Sequence, residues 1–188
     1  MSEKTFDEQS HTYTIGDRRL PSVTEIIKSA GLMDIRFFDD YTRTRGQFVH
    51  SACELLDLGI LDEDALDQAL IQYVVAYKLF LSEARPIWTA IEEPLFDDAI
   101  GVAGKPDRLS ADGVTDIKAG QPQPWHGIQL ALYAMLAKKP ITTIRRGLYL
   151  RGDGTYKVKI YSDRQDFDAG RAAVALFNWK TNNGVKKQ

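Results

Sequence analysis

An aspartate that follows a proline, in Gly104-Lys105-Pro106-Asp107-Arg108-Leu109, is separated by eight residues from the triplet Asp116-Ile117-Lys118. Side chains two apart on a strand point to one face. Asp116 and Lys118 therefore project together, while Ile117 turns into the core. Asp107, joined to them through the Asp112-Gly113 turn, can stand beside them on the preceding strand. Two carboxylates and the Ile117 backbone carbonyl form a hard oxygen site suited to Mg²⁺ or Mn²⁺. An ammonium next to it could hold or deprotonate a water acidified by the ion, and the ion would neutralise charge gathering on a phosphodiester. Taken alone, an Asp and a Lys two apart on a strand are more often a solvent-facing ion pair contributing under about 1 kcal/mol. The rest of the chain has to decide.

The elements that would position these residues follow from periodicity. Thr12–Ile15 and Arg19–Leu20 flank Gly16-Asp17 as a small hairpin. Pro21-Ser22-Val23-Thr24-Glu25 opens a short helix with a hydroxyl cap and an early acid, ended by Gly31. A second helix runs from Arg36 to Leu58, with Phe37, Tyr41, Phe48, Cys53 and Leu56 at helical spacing, and stops at Gly59. Asp62-Glu63-Asp64 is the acidic first turn of a third, reaching about Ala84. Pro86–Phe96, Ala99–Leu109 and Val114–Lys118 predict a three-stranded antiparallel meander. A helix over Trp125–Lys138, strands over Thr143–Leu150 and Tyr156–Tyr161, and a last helix opened by Asp163 complete the order. This is an α+β fold, an α/β sandwich on one central mixed sheet. We expect a single domain over 1–188, with the N-terminal hairpin and helical segment (about 1–60) packed on the core.

Composition narrows the function. With 44% hydrophobic and 27% charged residues, the chain is ordinary globular material. No apolar run approaches the roughly 18 residues of a membrane span, and the polar, acidic N-terminus is unlike a signal or transit peptide; we expect a cytoplasmic protein. The one cysteine, Cys53, excludes an internal disulfide and a Cys-rich zinc or iron–sulfur centre. Gly-x-Ser-x-Gly and P-loop patterns are absent, so no nucleotide cofactor is expected. The net charge of −2 hides an asymmetry: residues 1–100 sum to −10 and residues 101–188 to +8. The second half can present an anion-binding surface.

The spacing Pro106-Asp107 … Asp116-Ile117-Lys118 resembles the PD-(D/E)XK nuclease signature. Gln129-Leu130-Ala131-Leu132-Tyr133 is similar to the Q-x-x-x-Y of its RecB-like exonuclease branch, and Arg45-Gly46-Gln47-Phe48-Val49-His50 to the upstream R-G-x-x-x-H helix. Ile91-Glu92-Glu93-Pro94-Leu95 resembles the acidic position of the first strand. Leu20 to Ile27 is similar to the opening of phage-type exonucleases. The family's αβββαβ core agrees with the order read from periodicity. The resemblance implies a DNA nuclease dependent on Mg²⁺ or Mn²⁺, an exonuclease of phage or recombination type. An endonuclease or nickase of the same fold, or a catalytically silent DNA-binding subunit, are the alternatives.

On that resemblance Asp107, Asp116, His50, Glu92 and the Ile117 carbonyl are the metal ligands, and Lys118 orients or activates water. Strand alternation allows only one of Glu92 and Glu93 into the site, with Glu92 aligning better. Gly46, one turn before His50, would let a group approach closely. Gln129, Tyr133 and Trp125 share a helix face and would lie along the substrate, with Trp125 stacking on a base. Arg45, Lys105 and Arg108 are expected substrate contacts. Arg43, Lys138, Lys139, Arg145, Arg146 and Arg151 are further candidates for phosphate. His126 lies about 100° from the Gln129 face, and it and His11 stay outside the metal set. The implied partner is DNA with free ends; a homo-oligomer or a recombination-protein partner stays open. No iron–sulfur cluster and no membrane are expected.

Overall fold

The computed structural model describes residues 2–33 and 40–185. Arg36 and Phe37, at the expected start of the second helix, and the lysine-rich tail after Val185 lie outside them. The chain begins with a three-stranded antiparallel sheet, β1 (Lys4–Asp7), β2 (Thr12–Ile15) and β3 (Arg18–Leu20). The β2–β3 hairpin turns at Gly16, whose φ of 56° favours glycine. Strand β1, which sequence alternation did not reveal, is held by its pairing of Phe6 with Tyr13.

Helix α1 (Val23–Ser29) is capped by the Ser22 side chain, which accepts from the Glu25 N–H, and buries Val23, Ile26 and Ile27. Helices α2 (Asp40–Asp57) and α3 (Gln68–Ala84) follow. The acidic stretch at 62–64 does not start α3. Asp62 accepts from the N–H groups of Asp64 and Ala65 in a local turn, and Asp67 caps the helix instead.

The expected meander over 86–118 is broken into five pieces. Strands β4 (Trp88–Ile91), β7 (Arg108–Ser110) and β8 (Gly113–Lys118) are antiparallel neighbours in the main sheet, whereas β5 (Leu95–Asp97) and β6 (Val102–Gly104) form a separate ribbon. The first strand is broken at Glu92, where φ is 49°, just before Pro94. The second is broken at Pro106, which has no N–H to give a ladder. The ribbon packs its Phe96 and Ala103 against Tyr13 and Leu20 of the N-terminal sheet.

Helix α4 (Trp125–Leu136) crosses over from β8 to the parallel strand β9 (Ile144–Leu150); β10 (Tyr156–Ile160) then pairs antiparallel with β9, and α5 (Gln165–Asn182) ends the fold. The main sheet runs β10-β9-β8-β7-β4. One face packs Ile117, Leu148 and Leu150 against Val49 and Cys53 of α2 and Tyr73, Tyr77 and Phe80 of α3. The other packs Leu109 and Val114 against α1, α4 and α5. The mixed sheet between helical layers is the α/β sandwich expected from the sequence. No helix among the described residues is long and apolar enough to cross a membrane.

Candidate active site

The site forms where the breaks in β4 and β6–β7 meet the end of β8. Glu92 and Asp107 stand just past the regular strands, and the Asp107 carbonyl accepts from both the Glu92 N–H (3.0 Å) and the Arg108 guanidinium (2.6 Å). This pins the two acids together. The Asp107 carboxylate, buried, accepts the Ile117 N–H at 2.6 Å and lies 3.3 Å from Nδ1 of His50, carried by α2. One ligand atom each from His50, Glu92 and Asp107 lies within 4.8 Å of the others. Glu93 is exposed. Glu92 enters because the chain turns at it after the strand ends, rather than by alternation. No described atom would come within 4 Å of a Cβ at Gly46, so that glycine answers to no contact among the described residues.

Asp116 and Lys118 project together from β8, as their spacing predicts, with Lys118 Nζ 2.6 Å from Asp116 Oδ2. Ile117 between them is fully buried on the opposite face; it serves Asp107 through its N–H. Asp116 stands outside the three-ligand group, its carboxylate turned to Lys118. The lysine is 19% exposed and its ammonium lies 5.6 Å over the Trp125 ring.

The electrostatics separate the acids. Burial, and then the charge of Asp107, pushes Glu92 up to about 7, against the pull of Lys105, His50 and Arg108. Burial would raise Asp107 too, but His50, Lys118 and the Ile117 N–H overcome it and bring it down to about 2. Asp116 is raised to about 6 by burial and by Asp107, with Lys118 opposing. Burial works against the charge on Lys118, and Asp116 and Asp107 more than restore it, so its pKa lies above the ordinary lysine value. His50 behaves likewise: burial opposes the imidazolium, Asp107 favours it, and the balance is a raised pKa. The Asp116 carboxylate thus favours the charged form of Lys118. Glu92, driven half-neutral by burial and then by Asp107, one imidazole and a second carboxylate within ligand reach fit a divalent cation.

Four of the expected substrate contacts have partners within the protein. Arg108 is 0% exposed: it donates to Asp57 Oδ2 at 2.6 Å and to Glu92 Oε1 at 3.2 Å, so it braces the acids from behind and meets no solvent. Trp125 is 7% exposed and packs in the core beneath Lys118, with no free face for a base. Lys105 bridges Glu92 (3.2 Å) and Glu8 (3.5 Å). Arg45 lies between the rings of Tyr41 and Tyr73, 5.5 and 5.7 Å from their centroids. Gln129 and Tyr133 are buried together, with the Gln129 amide 3.4 Å from the Tyr133 hydroxyl and its Oε1 without a partner. Burial, then the charges of Asp116 and Asp107, raises the Tyr133 phenol well above its ordinary value.

No protein-family profile matches the chain, and no curated protein does. Among solved structures, the alkaline exonuclease LHK-Exo of Laribacter hongkongensis is similar with a TM-score of 0.54 at 15% identity, covering 87% of this chain and 88% of that one. LHK-Exo in complex with dAMP gives 0.44 at 15% identity over 88% and 89%. The chain shares the fold of that exonuclease. The architecture implied by the resemblance to PD-(D/E)XK nucleases is thereby borne out.

Sequence reasoning missed the supports. Asp57, seven residues after His50 on α2, accepts from Arg108 and from the Tyr77 hydroxyl (2.5 Å); the spacing of two helical turns, which puts both on one side of the helix, was the available signal. His126 is buried, its Nδ1 2.7 Å from the Tyr149 hydroxyl, which is 2.5 Å from that of Tyr161. Nothing in the spacing of these three residues announced their meeting.

Proposed function

We propose that the chain is a divalent-metal-dependent deoxyribonuclease, one nuclease domain over 1–188, that hydrolyses phosphodiester bonds as an exonuclease of the phage or recombination type. The observation that carries this is the convergence of His50, Glu92 and Asp107 within ligand reach, beside the Asp116–Lys118 pair. The similarity in fold to an alkaline exonuclease and the ordered motif resemblance support it.

His50, Glu92 and Asp107 would hold Mg²⁺ or Mn²⁺, with Asp116 adjoining. Bound there, the ion would supply charge neutralisation for the phosphodiester and acidify a water. The chain's own groups do the rest. Arg108 and Lys105 hold Glu92 in place, and the Ile117 N–H holds Asp107. Lys118, kept protonated by Asp116, donates to a non-bridging phosphate oxygen where negative charge develops. Asp116, raised to about 6, is poised to accept a proton near neutral pH.

The test is digestion of end-labelled linear single- and double-stranded DNA, and of closed circular DNA, with Mn²⁺, Mg²⁺ or EDTA. Linear DNA is expected to be degraded from its ends with either ion and left intact in EDTA, the circle surviving throughout. Asp107→Asn and Lys118→Met should each lower the rate by about 10³-fold or more. Cleavage that persists in EDTA, or either variant cutting at the wild-type rate, refutes the reading. Tight DNA binding without cleavage would leave a silent subunit in its place.

A further inference from the structure

Most of the candidate phosphate contacts already have partners. Lys105 is held by Glu92 and Glu8, Lys138 by Asp97, Arg145 by Asp166 and Arg146 by Asp112. Lys157 and Lys159 of β10 form no ion pair among the described residues. Each continues a row that starts in the site. The ladders set Lys118 opposite Tyr149 and Tyr149 opposite Lys157; they set Asp116 opposite Gly147 and Gly147 opposite Lys159. Directly paired residues share a face, and neighbouring strands are about 4.8 Å apart. The two lysines therefore stand roughly 10 Å from the Asp116–Lys118 pair, on its side of the sheet.

The ground between them is covered: Tyr149 is 2% exposed, its hydroxyl against His126 and Tyr161, so a strand reaches the lysines over that cover. A Cβ at Gly147 would meet the Tyr149 ring at 2.7 Å, so the glycine lets that ring lie flat across the row. Lys159 Nζ sits 4.5 Å from the Tyr161 ring centroid, which limits its wandering. Strand β10 is outermost on this edge of the sheet, so both rows end in solvent. The nearby carboxylates are engaged locally: Asp153 accepts from Thr155 and Asp163 from the Gln165 N–H. Glu83 takes the Tyr156 hydroxyl on the other face.

We infer that Lys157 and Lys159 form a track for the phosphodiester backbone, carrying one nucleic-acid strand from the site across the open edge of the sheet. This rests on the nuclease reading above. The competing role for lysines on an edge strand is to deter strand-to-strand association between molecules. The two roles differ in their response to salt.

Each backbone contact contributes about 0.7–0.9 to the slope of log affinity against log salt. Binding of labelled single-stranded and duplex oligonucleotides in EDTA, and kcat/KM for cleavage in Mn²⁺, are measured from about 50 to 200 mM KCl. The double variant Lys157→Gln/Lys159→Gln is expected to flatten the slope by about 1.4–1.8, while Lys28→Gln/Lys78→Gln, at exposed positions on α1 and α3, keeps the wild-type slope. Equal slopes in wild type and the β10 variant overturn the track. So does self-association of that variant in sedimentation with an unchanged slope, which assigns the lysines to edge protection. A wild-type chain that neither binds nor cuts nucleic acid brings down the nuclease reading and the track with it; one that cuts with an unmoved slope in the variant brings down the track alone.

Discussion

Asp116 and Lys118 sit on an unbroken strand, whereas Glu92, Asp107 and His50 meet where two strands stop being regular and a helix leans in. The first pair is placed by the pleat of β8 and backed by Trp125. The second group is placed by a left-handed turn at Glu92, by Pro106 and by α2, and is tied together by one fully buried guanidinium, Arg108. The regular half needs little besides its own strand. The irregular half concentrates acids that repel one another, and a cation inside the protein, Arg108, answers them together with Lys105 and His50.

Removing that cation is the strongest way to break the contrast. Arg108→Met leaves Asp57, 5% exposed, with the Tyr77 hydroxyl alone and Glu92, 9% exposed, with Lys105 alone. We expect a loss of about 3–5 kcal/mol in urea unfolding. Lys118→Met should cost about 1 kcal/mol, because its partner Asp116, already raised to about 6, can take up a proton. Equal losses in the two variants would show that both halves are held the same way.

The same contrast explains what could be read beforehand. Period-two alternation settles where Asp116, Ile117 and Lys118 point, because β8 is regular and buried on both faces. The buried face of α3, with Leu70, Tyr73, Val74 and Tyr77, follows its apolar spacing, whereas α4 is buried nearly all round and has no such face to read. Glu92 reached the site by a route alternation does not describe, since a positive φ belongs to the turn and not to the strand. Arg108 reads as a surface cation until Asp57, fifty-one residues earlier, is known to lie beneath it. Trp125 reads as a stacking platform until its ring is found under Lys118. What stayed hidden depends on contacts between distant segments, for which single-sequence periodicity carries no signal.

A divalent ion should distinguish the halves by roughly half that energy. At about a hundredfold excess over its Kd, Mn²⁺ adds about 2.7 kcal/mol to stability. Thermal unfolding in Mn²⁺ against EDTA is expected to show this gain in the wild type and to lose most of it in Glu92→Gln. Lys118→Met should retain it. Because Glu92 titrates at about 7, protons compete with the ion below that pH, and the gain should shrink between pH 8 and pH 6. A gain that ignores both the Glu92 variant and pH would move the ion away from this half.

The smallest expected effect sharpens the regular half. His126 faces Tyr149, Trp125 and the Gln123 N–H, with Lys118 and Lys159 close enough to be felt. Burial first, then those two ammonium groups, holds its pKa down at about 3. The unfolded chain takes up this proton near pH 6.5 and the folded one does not. The unfolded state therefore binds more protons between pH 6.5 and 3, and stability from this group falls as pH drops through that window. Glu92 and Asp116 act in the opposite sense, since their raised values favour the folded state as pH falls from about 7 towards their ordinary range. The comparison must be made between chains: going from pH 7.5 to pH 5, wild type should lose about 2 kcal/mol more than His126→Gln, as read by urea midpoints. Parallel pH curves for the two would mean that the imidazole charges inside the fold, and that the aromatic backing of Lys118 is looser than its hydrogen bonds imply.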